Sequence, residues 1–125
     1  MFQRILVPVD LSEKSLKAVD MAYDFAAQMG SEVVLLHVIE TIENVQLEFE
    51  ELKPLYDRLE SSVRSGLKEF SERFVANNLR VDQAVVYGKR AKEVVDFAVK
   101  HRLDLIIMAS HRVDPDRPSQ SWSIS

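Results

Sequence analysis

The chain contains no cysteine, so disulfides and thiol chemistry are excluded, which suits a reducing compartment. Glycine is almost as scarce: Gly30, Gly66 and Gly88 are the only three in 125 residues. Loops that cradle phosphate need glycine so that backbone N–H groups can approach it closely, and neither a P-loop nor a G-x-G-x-x-G run is present. Any phosphate would fall to side chains such as Arg112, Arg117, Ser121 and Ser123, or to a helix N-terminus. There is no surplus of positive charge. A net charge of −4 gives no general basic field for nucleic acid. Long apolar runs are absent too: Val33 to Ile39 is far too short to cross a bilayer, and His37 interrupts it. Met1-Phe2-Gln3-Arg4 leads into a strand, not into the apolar stretch of a signal peptide. These absences predict a soluble cytoplasmic protein with neither a membrane nor a nucleic-acid partner.

What is present is an apolar fraction of 46%, enough for the core of one domain of this length. Two continuous runs dominate, Ile5-Leu6-Val7-Pro8-Val9-Asp10 and Leu105-Ile106-Ile107-Met108-Ala109-Ser110-His111. Unbroken, β-branched-rich runs of this length mark central strands covered by helices on both faces. Between them lie further strands at Glu32 to Val38 and Val81 to Tyr87, where Val81, Val85 and Tyr87 share one face. Helical patterns alternate with the strands. The first has Ser12 as N-cap, the stripe Leu16, Val19, Ala22, Tyr23, Ala26 and Met29, and Gly30 as C-cap. The second runs from about Leu52 to about Asn77 on Leu52, Tyr56, Leu59, Val63, Leu67, Phe70 and Phe74; Pro54 predicts its first turn, and packing is the expected reason for Gly66 in mid-helix. The third carries Ala91, Val94, Val95, Ala98 and Val99. The acidic stretch from Glu40 to Glu51 and the segment 111–125 read as loops.

The order β-α-β-α-β-α-β predicts a single-domain, doubly wound, open parallel α/β sheet with the first and fourth strands adjacent. A final helix and strand, expected in such a sheet, are missing from the pattern, which makes strand four an edge that a partner or further chain should cover. In such sheets ligands sit outside the carboxyl ends of the strands, where the strand order reverses. Asp10 and the Ser110-His111 pair stand at those ends. Asp10 has two readings of equal weight, a ligand acceptor or a carboxylate binding backbone N–H groups of the turn into the first helix. His37 reads as a packed strand residue and His101 as a helix C-terminal cation. Only His111 falls at the crevice. Lys89-Arg90-Ala91-Lys92 has two readings, an anion contact and, favoured over it, a solvated first turn. No acid–base dyad, Ser-His-Asp set or metal-ligand spacing emerges.

Ile5-Leu6-Val7-Pro8-Val9-Asp10-Leu11-Ser12, Val34-Leu35-Leu36-His37-Val38, the Gly88 turn and Asp104 to Arg112 resemble the universal stress protein family in order and spacing. The resemblance spans residues 2 to 112. It implies a Rossmann-like α/β fold, a homodimer, and in many members adenine-nucleotide binding without a defined turnover reaction. In ATP-binding members the aspartate ending strand one and the backbone of the valine ending strand two address adenine. Those positions are Asp10 and Val38 here, with Pro8 and Val9 beside them. The phosphate loop of such members, G-x-x-G, nine residues, then G followed by Ser or Thr, places its glycines at Ala109, Arg112 and Trp122 and its hydroxyl at Ser123, with Met108 and His111 in the same block. All three glycines are replaced. The resemblance therefore implies no obligatory cofactor, and ATP or AMP as the candidate ligand. The glycine-free loop favours a nucleotide-independent, dimerising stress-response module that is not an enzyme. Asp10 and Val38 favour the alternative, an adenine-nucleotide-binding regulatory protein.

Overall fold

The four expected strand segments form parallel strands β1 (Arg4–Pro8), β2 (Glu32–Glu40), β3 (Val81–Gly88) and β4 (Leu105–Ile106), the last far shorter than its apolar run. Helices α1 (Glu13–Met29), α2 (Phe49–Ala76) and α3 (Arg90–Lys100) connect them. The computed structural model describes residues 3–41 and 49–109, those at 49 and 50 by backbone alone. Sheet order is β3-β2-β1-β4, with Ile5 and Leu6 opposite Leu105 and Ile106. The predicted adjacency of the first and fourth strands is therefore observed.

The period-two alternation of a strand divides the core into two layers. Ile5, Val7, Val33, Leu35 and Ile39 pack under Ala18, Val19, Ala22 and Ala26 of α1 and Tyr56, Val63, Leu67 and Phe74 of α2. Leu6, Val34, Leu36 and Val38 point the other way, onto Val94, Phe97 and Ala98 of α3. Ile5, Leu6 and Val7 are consequently all fully buried, which is why β1 reads as an unbroken apolar run. The chain winds from β1 through α1 to β2 and through α2 to β3, then crosses back through α3 to β4. Right-handed crossovers put α3 on the opposite face, and the winding reverses between β1 and β4.

Several local expectations hold. Ser12 is the N-cap of α1, and Gly30 closes it in the left-handed region at φ 69°. Others need correction. β2 runs on to Glu40, beyond Val38. α2 begins at Phe49, so Pro54 lies inside it and Glu51 is helical rather than loop. Pro54 is exposed near the start of a 28-residue helix, where losing one backbone bond is tolerated. The apolar stripes also differ in detail. Leu16, Leu59, Val95 and Val99 face solvent, the last 73% exposed, while Phe97 turns inward in place of Val95. Gly66 is a packing glycine, as expected: a Cβ there would stand 3.0 Å from a methyl carbon of Leu11.

Candidate functional site

β1 stops at Pro8, but the Val9 N–H still donates to the Leu36 carbonyl at 2.8 Å, so the strand end is held to β2. The chain then turns at Leu11, which adopts φ 66°, and enters α1. Asp10 stands at the turn. Its Oδ1 accepts the Ser12 N–H at 2.9 Å, the Ser12 hydroxyl at 2.5 Å and the Ser15 hydroxyl at 2.7 Å. The Asp10 N–H in turn donates to the Ser15 hydroxyl at 3.0 Å. All three acceptor contacts fall on Oδ1, which leaves Oδ2 without a protein donor among the described residues. One oxygen thus orders the turn, as the structural reading of Asp10 required, and the other is available for the ligand-acceptor reading.

A narrow crevice with a cavity volume of about 50 Å³ opens where these elements meet. Its walls are Pro8, Val9 and Asp10 from the end of β1, Ser15 of α1, Leu36 and Val38 of β2, Arg90 of α3, and Met108 and Ala109 beyond β4. Six of the residues singled out from sequence, Pro8, Val9, Asp10, Val38, Met108 and Ala109, are therefore brought into one wall at the reversal of the sheet. The physical reason is simple: in a parallel sheet all strand carboxyl ends emerge on one side. His111, Arg112 and Ser123, with Ser110 and Trp122, lie outside the described residues.

Arg90 is exposed, as the solvated-turn reading of Lys89-Arg90-Ala91-Lys92 expected, and it also lines the crevice. The helix after β3 starts at the same edge of the sheet as Asp10, so its first residue lines the crevice; Gly88, which closes β3, was the available signal. Arg90 Nε also lies 3.8 Å from Glu40 Oε1, at the end of β2. Ser15 and Leu36 were missed, and their roles follow from packing rather than motif. His37 is not part of the crevice wall. Its Nδ1–H donates to the Val9 carbonyl at 2.7 Å, so the ring braces the strand end, as the packed-residue reading required. His101 ends α3 and stacks on Phe97, with ring centroids 4.1 Å apart. Among the described residues no group of His, Asp or Glu is placed to hold a metal ion, and no helix is long and apolar enough to cross a membrane.

The Asp10 carboxyl is held at about 2, below its ordinary 3.8. The Ser12 hydroxyl is the largest cause; the Ser15 hydroxyl, the Ser12 N–H and the Arg90 charge add to it, against a desolvation cost. A depressed folded value means the stabilisation is complete above pH 3.8 and is lost as pH falls through about 2. Because Asp10 is exposed, screening reduces its worth to about 1 kcal/mol. Urea midpoints for the native protein and Asp10→Asn should therefore differ above pH 4 and converge by roughly pH 2. Parallel curves across that window would show that the turn does not depend on the ionised carboxylate.

An open, doubly wound parallel sheet with a crevice and one carboxylate at its reversal defines a Rossmann-like α/β domain. The sequence model of the Universal stress protein family matches residues 1–120, and the chain belongs to that family. Universal stress protein MJ0531 of Methanocaldococcus jannaschii is 26% identical over 111 residues, covering 88% of this chain; the chain spans 65% of that relative's length. The solved structure of MJ0577 from the same organism superposes with a TM-score of 0.73 at 27% identity, over 90% of this chain and 78% of that one. A universal stress protein solved in complex with cAMP superposes with a TM-score of 0.59 at 23% identity, over 84% of this chain and 70% of that one, a likeness of fold.

Proposed function

We propose that this protein is a non-catalytic binding module whose crevice takes the adenosine end of an adenine nucleotide and depends little on the phosphates. The observation that carries the reading is the convergence of Pro8, Val9, Asp10, Val38, Met108 and Ala109 on one crevice. Asp10 Oδ2 is the acceptor for an adenine amino group, and the Val38 backbone, at the β2 end of the same wall, is the second polar contact. The cAMP complex of one relative fits a ligand of this class.

The non-catalytic part of the reading rests on the charged groups lining the crevice. Asp10 is held well below the range of a general acid or base, and the Arg90 guanidinium offers hydrogen-bond donors and no acceptor. Calorimetry with ATP, AMP and adenosine tests the proposal. The expected result is three affinities within roughly tenfold of one another, a spread of about 1.4 kcal/mol. Micromolar ATP binding that collapses for AMP would reveal a phosphate site built without glycine, and failure of all three to bind would end the adenosine reading.

The same proposal places the protein in the cytoplasm as a homodimer. β4 has β1 as its only neighbour in the described sheet, and an edge strand is a template for pairing with a second chain. Light scattering at the mass of two chains is expected; the mass of one chain at all concentrations would remove the dimer.

A further inference from the structure

The crevice depends on a contact that lies outside it. Leu11, between Asp10 and Ser12, holds φ 66°, a region a branched, non-glycine residue enters only when its surroundings hold it there. Its side chain is partly buried against the α1–α2 layer of the core. The seat is Gly66, in the middle of α2 and 55 positions further along the chain. A Cβ on Gly66 would stand 3.0 and 3.1 Å from the two Leu11 methyl carbons, closer than side chains ordinarily approach, and 3.5 Å from its Cγ, an ordinary contact. Gly66 lies on the inward side of α2, beside the buried Val63 and Leu67. A glycine in mid-helix costs about 1 kcal/mol of helix propensity relative to alanine, which asks for a reason.

We infer that Gly66 is a positioning residue for the crevice: the space it leaves seats Leu11, and the seated Leu11 holds the β1–α1 turn in the shape that brings Asp10 Oδ1 onto the Ser12 N–H and the Ser12 and Ser15 hydroxyls. Neither Gly66 nor Leu11 lines the crevice. Their effect reaches it through the turn, by fixing which Asp10 oxygen is occupied and which is left free. The consequence for ligand rests on the adenosine reading above; the consequence for the turn does not.

The test follows the Asp10 carboxyl by NMR titration, since three turn contacts set its midpoint, with Arg90 the other charge facing it. Gly66→Val fills the seat and should move the midpoint from about 2 towards 3.8, by roughly one pH unit or more. Leu11→Ala should move it the same way, because alanine lacks the seated side chain while the cost of positive φ remains. Leu11→Gly holds the turn without a seat, so Gly66→Val/Leu11→Gly should return the midpoint to near its native value. A midpoint unmoved in folded Gly66→Val or in Leu11→Ala overturns the inference, as does failure of the double variant to restore it. AMP supplies the second arm: affinity should fall roughly tenfold in Gly66→Val and recover in the double variant. Native protein that does not bind AMP would overturn the adenosine reading alone, leaving the carboxyl titration to decide the role of Gly66.

Discussion

Phe74→Ala is expected to lower the stability of the protein by about 4 kcal/mol, a large part of what a domain of this size possesses. Phe74 is fully buried at the C-terminal end of α2 and is the largest fully buried side chain among the described residues. The Tyr23 ring of α1 meets it edge-on at a centroid distance of 5.3 Å, and Arg73 lies across the Tyr23 face at 4.5 Å. Its own carbonyl accepts the Leu79 N–H at 2.8 Å, where the chain leaves the helix towards β3. Truncation thus opens a cavity among α1, α2 and the sheet that neither helix can close without breaking the other's contacts. Urea unfolding should show a midpoint shifted far down at nearly unchanged slope. Val75→Ala, one position on and 64% exposed, is the control, expected within about 0.5 kcal/mol of the native protein. A loss below about 1 kcal/mol at Phe74 would mean that the α1–α2 layer repacks freely.

Gly88→Ala is expected to cost about 2 to 3 kcal/mol, and to act on the crevice as well as on the fold. Gly88 ends β3 at φ 147°, a conformation essentially confined to glycine, and a Cβ there would stand 2.6 Å from Oε1 and 2.7 Å from Cγ of Glu93. Two separable effects are present. Glu93→Ala in the same chain removes the clash and leaves the backbone strain, so the double variant should recover roughly half of the loss. The turn also sets where α3 begins, and Arg90 is its first residue. Displacement of Arg90 from the crevice should therefore be visible as a changed environment for Asp10 in the same titration that tests Gly66. Full recovery of stability in the double variant would show that φ at Gly88 is not constrained and that crowding is the whole effect.

The layered sheet and the gathering of its strand ends were legible in the amino-acid sequence because they follow from few alternatives. Ile5-Leu6-Val7 has no polar face to give to water, so it must be covered on both sides, and alternation of such runs with helical patterns leaves the parallel, doubly wound sheet as the solution that keeps every crossover right-handed. Once that is granted, Pro8, Val9, Asp10, Val38, Met108 and Ala109 must emerge together, since parallel strands share one carboxyl edge. Gly30 was equally legible, because a helix end needing positive φ is a local demand.

What tertiary structure alone decided concerns the rotation of helices and the meeting of distant residues. The α3 stripe offered Val94, Val95, Ala98 and Val99, and only packing against β1 and β2 settled that Val94, Ala98 and Phe97 turn inward while Val95 and Val99 do not. Pro54 suggested a helix start that the chain places at Phe49 instead, since one missing bond near an exposed helix beginning is outweighed by the packing of the α2 stripe. Arg90 belongs to the crevice because of where the β3–α3 turn emerges, not because of its neighbours in sequence. The left-handed Leu11 and the glycine that receives it are 55 positions apart, and neither residue announces the other. Periodicity records which residues avoid water; it carries no information about which atoms then touch, and that is set by how helices settle on the sheet.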